Sequence, residues 1–232
     1  MISFRSIFSF VASLLLVLLF SSCDEEKVRF DEPQPEGVES DTELRKGLQG
    51  NYFCTQDSTW LHVGTFKVTV SNRDPNSVYQ SDEENLNHKT EVGITHGKDS
   101  SIKMHLKVGI DSEIDSLQVD ADFEETLIDI KQGNEARFYK GYYFLNKRVE
   151  EGSGYRVRIL RPTKEGLLLC RIQTDSILHL LENEDFVKKE TNSEKEEGVE
   201  SWTLHPSRKE LKKLLKMGLF SDVKLYKVMS DK

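Results

Sequence analysis

Proline is scarce, with 5 among 232 residues, and apolar residues still make up 37% and aromatics 9%, so collagen-like, proline-rich and wholly disordered classes are excluded. Only 3 cysteines are present. The six histidines, His62, His88, His96, His105, His179 and His205, show no His-Glu-x-x-His, His-x-His or Cys-x-x-Cys spacing, so no metal site is indicated. Also missing are the Gly-x-Ser-x-Gly elbow, the phosphate-binding loop and the dinucleotide fingerprint, which leaves no motif on which to name a catalytic residue or a cofactor. Positive charge is in deficit: 32 Lys and Arg face 40 Asp and Glu, for a formal charge of -8. Nucleic acid is therefore not an expected partner.

Long hydrophobic runs are confined to one place. Arg5 precedes an almost unbroken apolar stretch, Ile7 to Phe20, and beyond it the chain is polar enough for a mean hydropathy of -0.53. A spanning helix needs about 20 apolar residues. This run is shorter, and it ends on the small pair Ser21-Ser22 followed by Cys23-Asp24-Glu25-Glu26 instead of a basic stop-transfer flank, which is the pattern of a secretory leader.

Leu19-Phe20-Ser21-Ser22-Cys23 resembles the lipobox of bacterial lipoproteins, with Phe20 standing where Leu is usual. The resemblance implies cleavage before Cys23 and acylation of its sulfur, so that the chain is exported and membrane-anchored through lipid. Two or three acyl chains, at about 0.8 kcal/mol per buried methylene, hold a domain stably on a bilayer. The acids after the cysteine resemble sorting signals, with the outer membrane expected over the inner one.

Charge is patterned beyond the leader. Cys23 to Glu135 carries 11 basic and 25 acidic residues, whereas Ala136 to Asp175 carries 9 and 4. Residues 23–46, with nine carboxylates, Pro33 and Pro35, are expected to form an acidic flexible tether behind the lipidated cysteine. Residues 47–232 then form a single β-rich globular domain. Trp60, His62, Gly64, Phe66, Val68 and Val70 alternate with polar residues, as do Ile102, Met104, Leu106, Val108 and Ile110. Further strands are expected at 50–55, 90–95, 116–123, 126–131, 136–148, 155–161, 167–174, 198–204 and 222–228. Two helices are expected in the C-terminal half, over 176–188 and over 207–217, the second with the capping pair Ser207 and Glu210 and a stop at Gly218. The fold class is thus mainly β, an antiparallel meander or barrel-like sheet with two late helices.

Four constellations invite a chemical reading. Cys54 and Cys170, the pair remaining after lipidation, lie on predicted strands in a compartment that permits a disulfide, the alternative being two buried thiols. Asp111, Glu113, Asp115, Asp120 and Asp122 have the start of a calcium-loop spacing, with Ser116 at the position that needs glycine. Arg137, Lys140, Lys147, Arg148, Arg156, Arg158 and Arg161 alternate with aromatics and suit a polyanionic partner such as glycan or lipid headgroups. Asp57-Ser58-Thr59, Asp115-Ser116-Leu117 and Asp175-Ser176-Ile177 resemble an O-glycosylation signal of exported proteins, and turn or cap chemistry explains each of them equally.

Together these readings describe a lipid-anchored cell-envelope protein whose β-rich domain binds or scaffolds an envelope protein or polyanionic glycan without catalysis. Two alternatives remain open. Leu48-Gln49-Gly50-Asn51-Tyr52 with Trp60 nearby resembles the opening of a lipocalin-like barrel, which implies a small apolar ligand. The abundant carboxylates leave a hydrolase of envelope polymers conceivable.

Overall fold

The computed structural model describes residues 28–73, 90–96, 102–111, 116–149, 154–172, 181–182, 184–192 and 199–228. Among them run fourteen strands. The first seven are β1 (Val28–Phe30), β2 (Gly50–Cys54), β3 (Thr59–Val63), β4 (Lys67–Ser71), β5 (Thr90–His96), β6 (Ile102–Asp111) and β7 (Ser116–Asp129). Then follow β8 (Glu135–Tyr139), β9 (Tyr142–Arg148), β10 (Tyr155–Pro162), β11 (Gly166–Arg171), β12 (Val187–Asn192), β13 (Val199–Leu204) and β14 (Asp222–Val228). One helix, α1 (Arg208–Met217), lies between β13 and β14.

All the strands belong to one sheet in the order β12, β13, β1, β10, β11, β14, β2, β3, β4, β7, β6, β5, with β9 added to β10 and β8 to β9. Only β1 with β13 is parallel. The sheet curls until β7 lies against β8 and β9, but no ladder joins them, so it is mixed and open. The expected mainly β class holds, and the barrel does not close.

Alternation divides the core between the two faces. On β9, Tyr143 and Leu145 enter an inner cluster while Phe144 enters an outer one; on β11, Leu167 and Leu169 go in and Leu168 and Cys170 go out. The inner cluster is completed by Tyr52, Leu61, Val63, Val68, Leu127 and Tyr226. The outer one is roofed by α1 through Leu211 and Leu214 and by β1 and β13 through Phe30, Trp202 and Leu204. Gly166 lets two strands meet where no other residue fits: its φ is +151°, and a Cβ there would lie 2.0 Å from the Tyr226 carbonyl oxygen.

Four expectations need correction. The stretch 60–70 is two strands, because Gly64-Thr65-Phe66 turn the chain, with Gly64 N–H donating to the Lys67 carbonyl at 2.9 Å. The turn resets parity, so β3 buries Leu61 and Val63 instead of Trp60 and His62. Likewise 136–148 is a hairpin, turning at Lys140 (φ 49°) and Gly141 (φ 84°), a pair of left-handed residues that suits a two-residue loop. The expected helix over 176–188 ends early: Leu181 is helical, but Glu184 to Phe186 turn and Val187 and Lys188 open β12 against β13. Residues 176–180 lie outside the described residues.

The expected tether is the fourth. Cys23 to Lys27 lie outside the described residues, but from Val28 the chain is part of the fold. Phe30 and Leu44 are fully buried, and the intervening backbone is held by side chains from the sheet. Asn146, also fully buried, accepts from the Gln34 N–H at 2.6 Å and donates to the Gln34 carbonyl at 2.8 Å. Arg137 donates to the carbonyls of Pro33 (2.7 Å) and Pro35 (2.9 Å). Composition is a poor guide here: three apolar anchors, Val28, Phe30 and Leu44, and a satisfied backbone offset the ordering entropy of an acidic segment.

Candidate functional site

Charge collects where the sheet fails to close. Period two on β9 puts Lys147 on the face of Tyr143 and Leu145, and on β10 it puts Arg156 and Arg158 on the face of Leu160. Tyr143, Leu145 and Leu160 are inner-cluster residues, so the three cations continue that inner face towards one end. Across the opening β7 supplies Glu125 and Leu127. Glu125, Leu127, Leu145, Lys147, Arg156 and Arg158 line one cleft.

Two contacts span it. The Arg158 guanidinium donates to Glu125 at 2.7 Å, with the arginine side chain only 14% exposed. The Lys147 ammonium donates to the Thr126 carbonyl at 3.3 Å. Among the described residues the lining carries three cations and one carboxylate, each engaged within the protein. Planar guanidinium forks in a partly dehydrated cleft are suited to carboxylate, sulfate and phosphate oxygens.

The other half of the basic-aromatic segment is used up structurally. Tyr143 and Phe144 are fully buried, and Arg137 is bound to Glu135 as well as to the two proline carbonyls. Tyr143 donates to Asp41 at 2.6 Å; burial, then that hydrogen bond and the Asp41 charge, raise its pKa above the ordinary tyrosine value. Arg45 stacks 3.8 Å over the Phe138 ring.

A second polar cluster closes the β2–β3 turn. Asp57 accepts from Thr59 N–H at 3.2 Å, from Thr59 Oγ1 at 2.7 Å and from Lys224 at 2.5 Å. Thr59 Oγ1 also lies 3.0 Å from the buried Tyr226 hydroxyl. Partial burial pushes the Asp57 carboxyl up, but hydrogen bonds from Lys224, Thr59 and Cys54 outweigh it and hold the pKa at about 2. Burial pushes Tyr226 up to about 12. Glu210 at the start of α1 is likewise held low, by its hydrogen bonds from Ser207. Both shifted carboxylates are ionised acceptors, a state that suits anchoring a turn and a helix, not donating a proton.

The remaining candidates disperse. Cys23 lies outside the described residues. Cys54 and Cys170 are buried thiols, not a disulfide; alternation sends Cys54 into the inner cluster and Cys170 into the outer one, on opposite faces of the sheet. Of the acidic series, Asp122 pairs with Arg73 at 3.0 Å, Asp111 and Asp120 are strand positions, and Glu113 and Asp115 lie outside the described residues. Among the described residues no three His, Cys, Asp or Glu side chains are grouped to hold a metal. In the first glycosylation-like triplet Asp57 and Ser58 are exposed residues of the β2–β3 turn, and Thr59 is buried and bonded on both sides. The third triplet, Asp175-Ser176-Ile177, falls outside the described residues, as does Asp115 of the second.

Sequence reasoning reached Lys147, Arg156 and Arg158 but missed Glu125 and Leu127, which arrive from 33 residues upstream of Arg158 in the case of the carboxylate. No local spacing announces that meeting. No protein-family model, curated protein or solved structure matches the chain. Among the described residues no helix is long and apolar enough to cross a membrane.

Proposed function

We propose that the chain is a lipid-anchored envelope protein whose domain binds an anionic envelope partner, without transforming it, in the cleft between β7 and the β9–β10 pair. The observation that carries this reading is the convergence of Lys147, Arg156 and Arg158 on one cleft, where Glu125 is the one carboxylate among the described lining residues. Evenly solvated surface cations are weak attractors; cations gathered at an opening focus their field and meet a ligand with part of the desolvation already made.

The anchor sets where this cleft works. From Cys23 to Val28 is five residues, which at about 3.6 Å each reach no more than about 18 Å. With its sulfur acylated, the domain rides against the headgroup layer instead of hanging from a long leash.

The test is binding of a sulfated polysaccharide, dextran sulfate, to the purified full chain, measured by calorimetry. Saturable binding that weakens as salt rises is expected, and Lys147→Ala with Arg156→Ala should weaken it at least tenfold while leaving the melting transition in place. Equal affinity of this double variant and the parent protein overturns the assignment of the cleft.

A further inference from the structure

Helix α1 has two opposed faces. At about 100° per residue, Leu211, Leu214 and Leu215 turn towards the sheet, and Leu211 and Leu214 are fully buried in the outer cluster. Lys209, Lys212, Lys213 and Lys216 fall on the other side, within an arc of about 100°, and all four are exposed. The ten residues of the helix hold five cations and one carboxylate. That carboxylate, Glu210, is taken up by the helix start, where it accepts from the Ser207 N–H at 2.8 Å. Lys213 donates to Glu184 at 2.6 Å. Among the described residues Lys209, Lys212 and Lys216 enter no hydrogen bond or ion pair. Met217, one turn beyond Lys213, stands 38% exposed at the edge of the lysine arc.

We propose that this face of α1 lies on the anionic headgroups of a phospholipid bilayer, with its lysine ammoniums among the phosphates and Met217 at the acyl boundary. The inference rests on the anchor at Cys23 and is independent of the cleft. Position favours a bilayer over a soluble polyanion. Val28, where the described chain begins, packs in the same outer cluster that α1 roofs. A helix with its side chains is about 10–12 Å thick, and the five residues from Cys23 to Val28 reach up to about 18 Å, so an acylated Cys23 attains the plane of the lysine face. Charge points the same way. In a chain of formal charge -8, an anionic surface repels the bulk of the molecule and attracts this helix, which fixes one orientation of the domain. Acyl chains joined to a basic patch form a two-signal anchor, and the electrostatic half of it fades within a Debye length as salt rises. A second copy of the chain would meet these lysines with its own.

The test uses the acylated full chain on vesicles of phosphatidylcholine or of phosphatidylglycerol, with acetylation of each lysine by a succinimidyl ester read by mass spectrometry. On phosphatidylglycerol, Lys209, Lys212 and Lys216 should react at least fivefold more slowly than on phosphatidylcholine, and added salt should abolish the difference. Lys164, exposed in the β10–β11 turn, should react alike on both. Lys212→Gln with Lys216→Gln should release Lys209 from protection while leaving the melting transition in place. Equal reactivity on the two lipids, protection that extends equally to Lys164, or protection of Lys209 that persists in the double variant overturns the proposal. Protection by dextran sulfate on phosphatidylcholine without protection on phosphatidylglycerol overturns it in favour of a soluble polyanion. A chain that does not float with phosphatidylcholine vesicles removes the anchor and this inference with it, whereas one that floats with its α1 lysines equally reactive on both lipids removes this inference alone.

Discussion

Asn146 shows how much one side chain can decide. Its amide faces the Gln34 backbone with both a donor and an acceptor, the pairing a neighbouring strand would otherwise provide. Asn146→Ala leaves a buried N–H and a buried carbonyl without partners, each costing about 1–3 kcal/mol. A loss of about 2–4 kcal/mol in denaturant unfolding is expected, with faster amide exchange across residues 31–41 than elsewhere in the sheet. Asp57 makes a prediction of opposite character, since its effect depends on pH. Its carboxyl titrates near 2 in the fold, below its ordinary value of 3.8, so the folded state favours the ionised form. Its contribution to stability is complete above about pH 4 and is lost as pH falls towards 2. Asp57→Asn should flatten the fall in unfolding midpoint between those limits, and an unchanged slope would remove the turn from the account of acid sensitivity.

At the scale of elements, the helix was legible because its stop and start signals are local. Ser207 N–H donates to the Glu210 carboxylate at 2.8 Å, Ser207 Oγ accepts from the Glu210 N–H at 3.4 Å, and Gly218 ends the helix at φ 80°. Ser207→Ala should cost about 1 kcal/mol, read as a lower thermal midpoint with the native sheet signal retained. The expected helix over 176–188 failed at its end for the complementary reason: Val187 and Lys188 gain a ladder on β13, and pairing with a distant strand outweighs local periodicity. The same competition explains β1. Three residues in an acidic stretch have no signal of their own, and Val28, Arg29 and Phe30 are strand because Trp202, Thr203 and Leu204 lie on one side and Tyr155 on the other. The split of residues 60–70 was half legible, since Gly64 stood in view while the parity change it causes did not.

For the molecule as a whole, the open sheet puts its polar end at the seam. Charge there comes from the consecutive strands β9 and β10 and from β7, which precedes them in the chain. Cys23→Ala should move the protein from the membrane pellet to the soluble fraction in cell fractionation. Retention in the pellet after a high-salt wash would show that another surface holds it, and would call for repeating the fractionation with the Lys147 and Arg156 substitutions.

What the sequence alone determined is local in its physics: the apolar run from Ile7 to Phe20, the β-rich alternation, the capped helix and the basic bias of residues 136–175 all depend on neighbours within a few residues. Tertiary structure decided the rest. Curling brought Glu125 to Arg158, sheet parity put Cys54 and Cys170 on opposite faces, and burial turned an acidic prologue into part of the core. Each of these depends on which strands lie side by side, a choice made by the free energy of the whole packed sheet and not by any short stretch of chain.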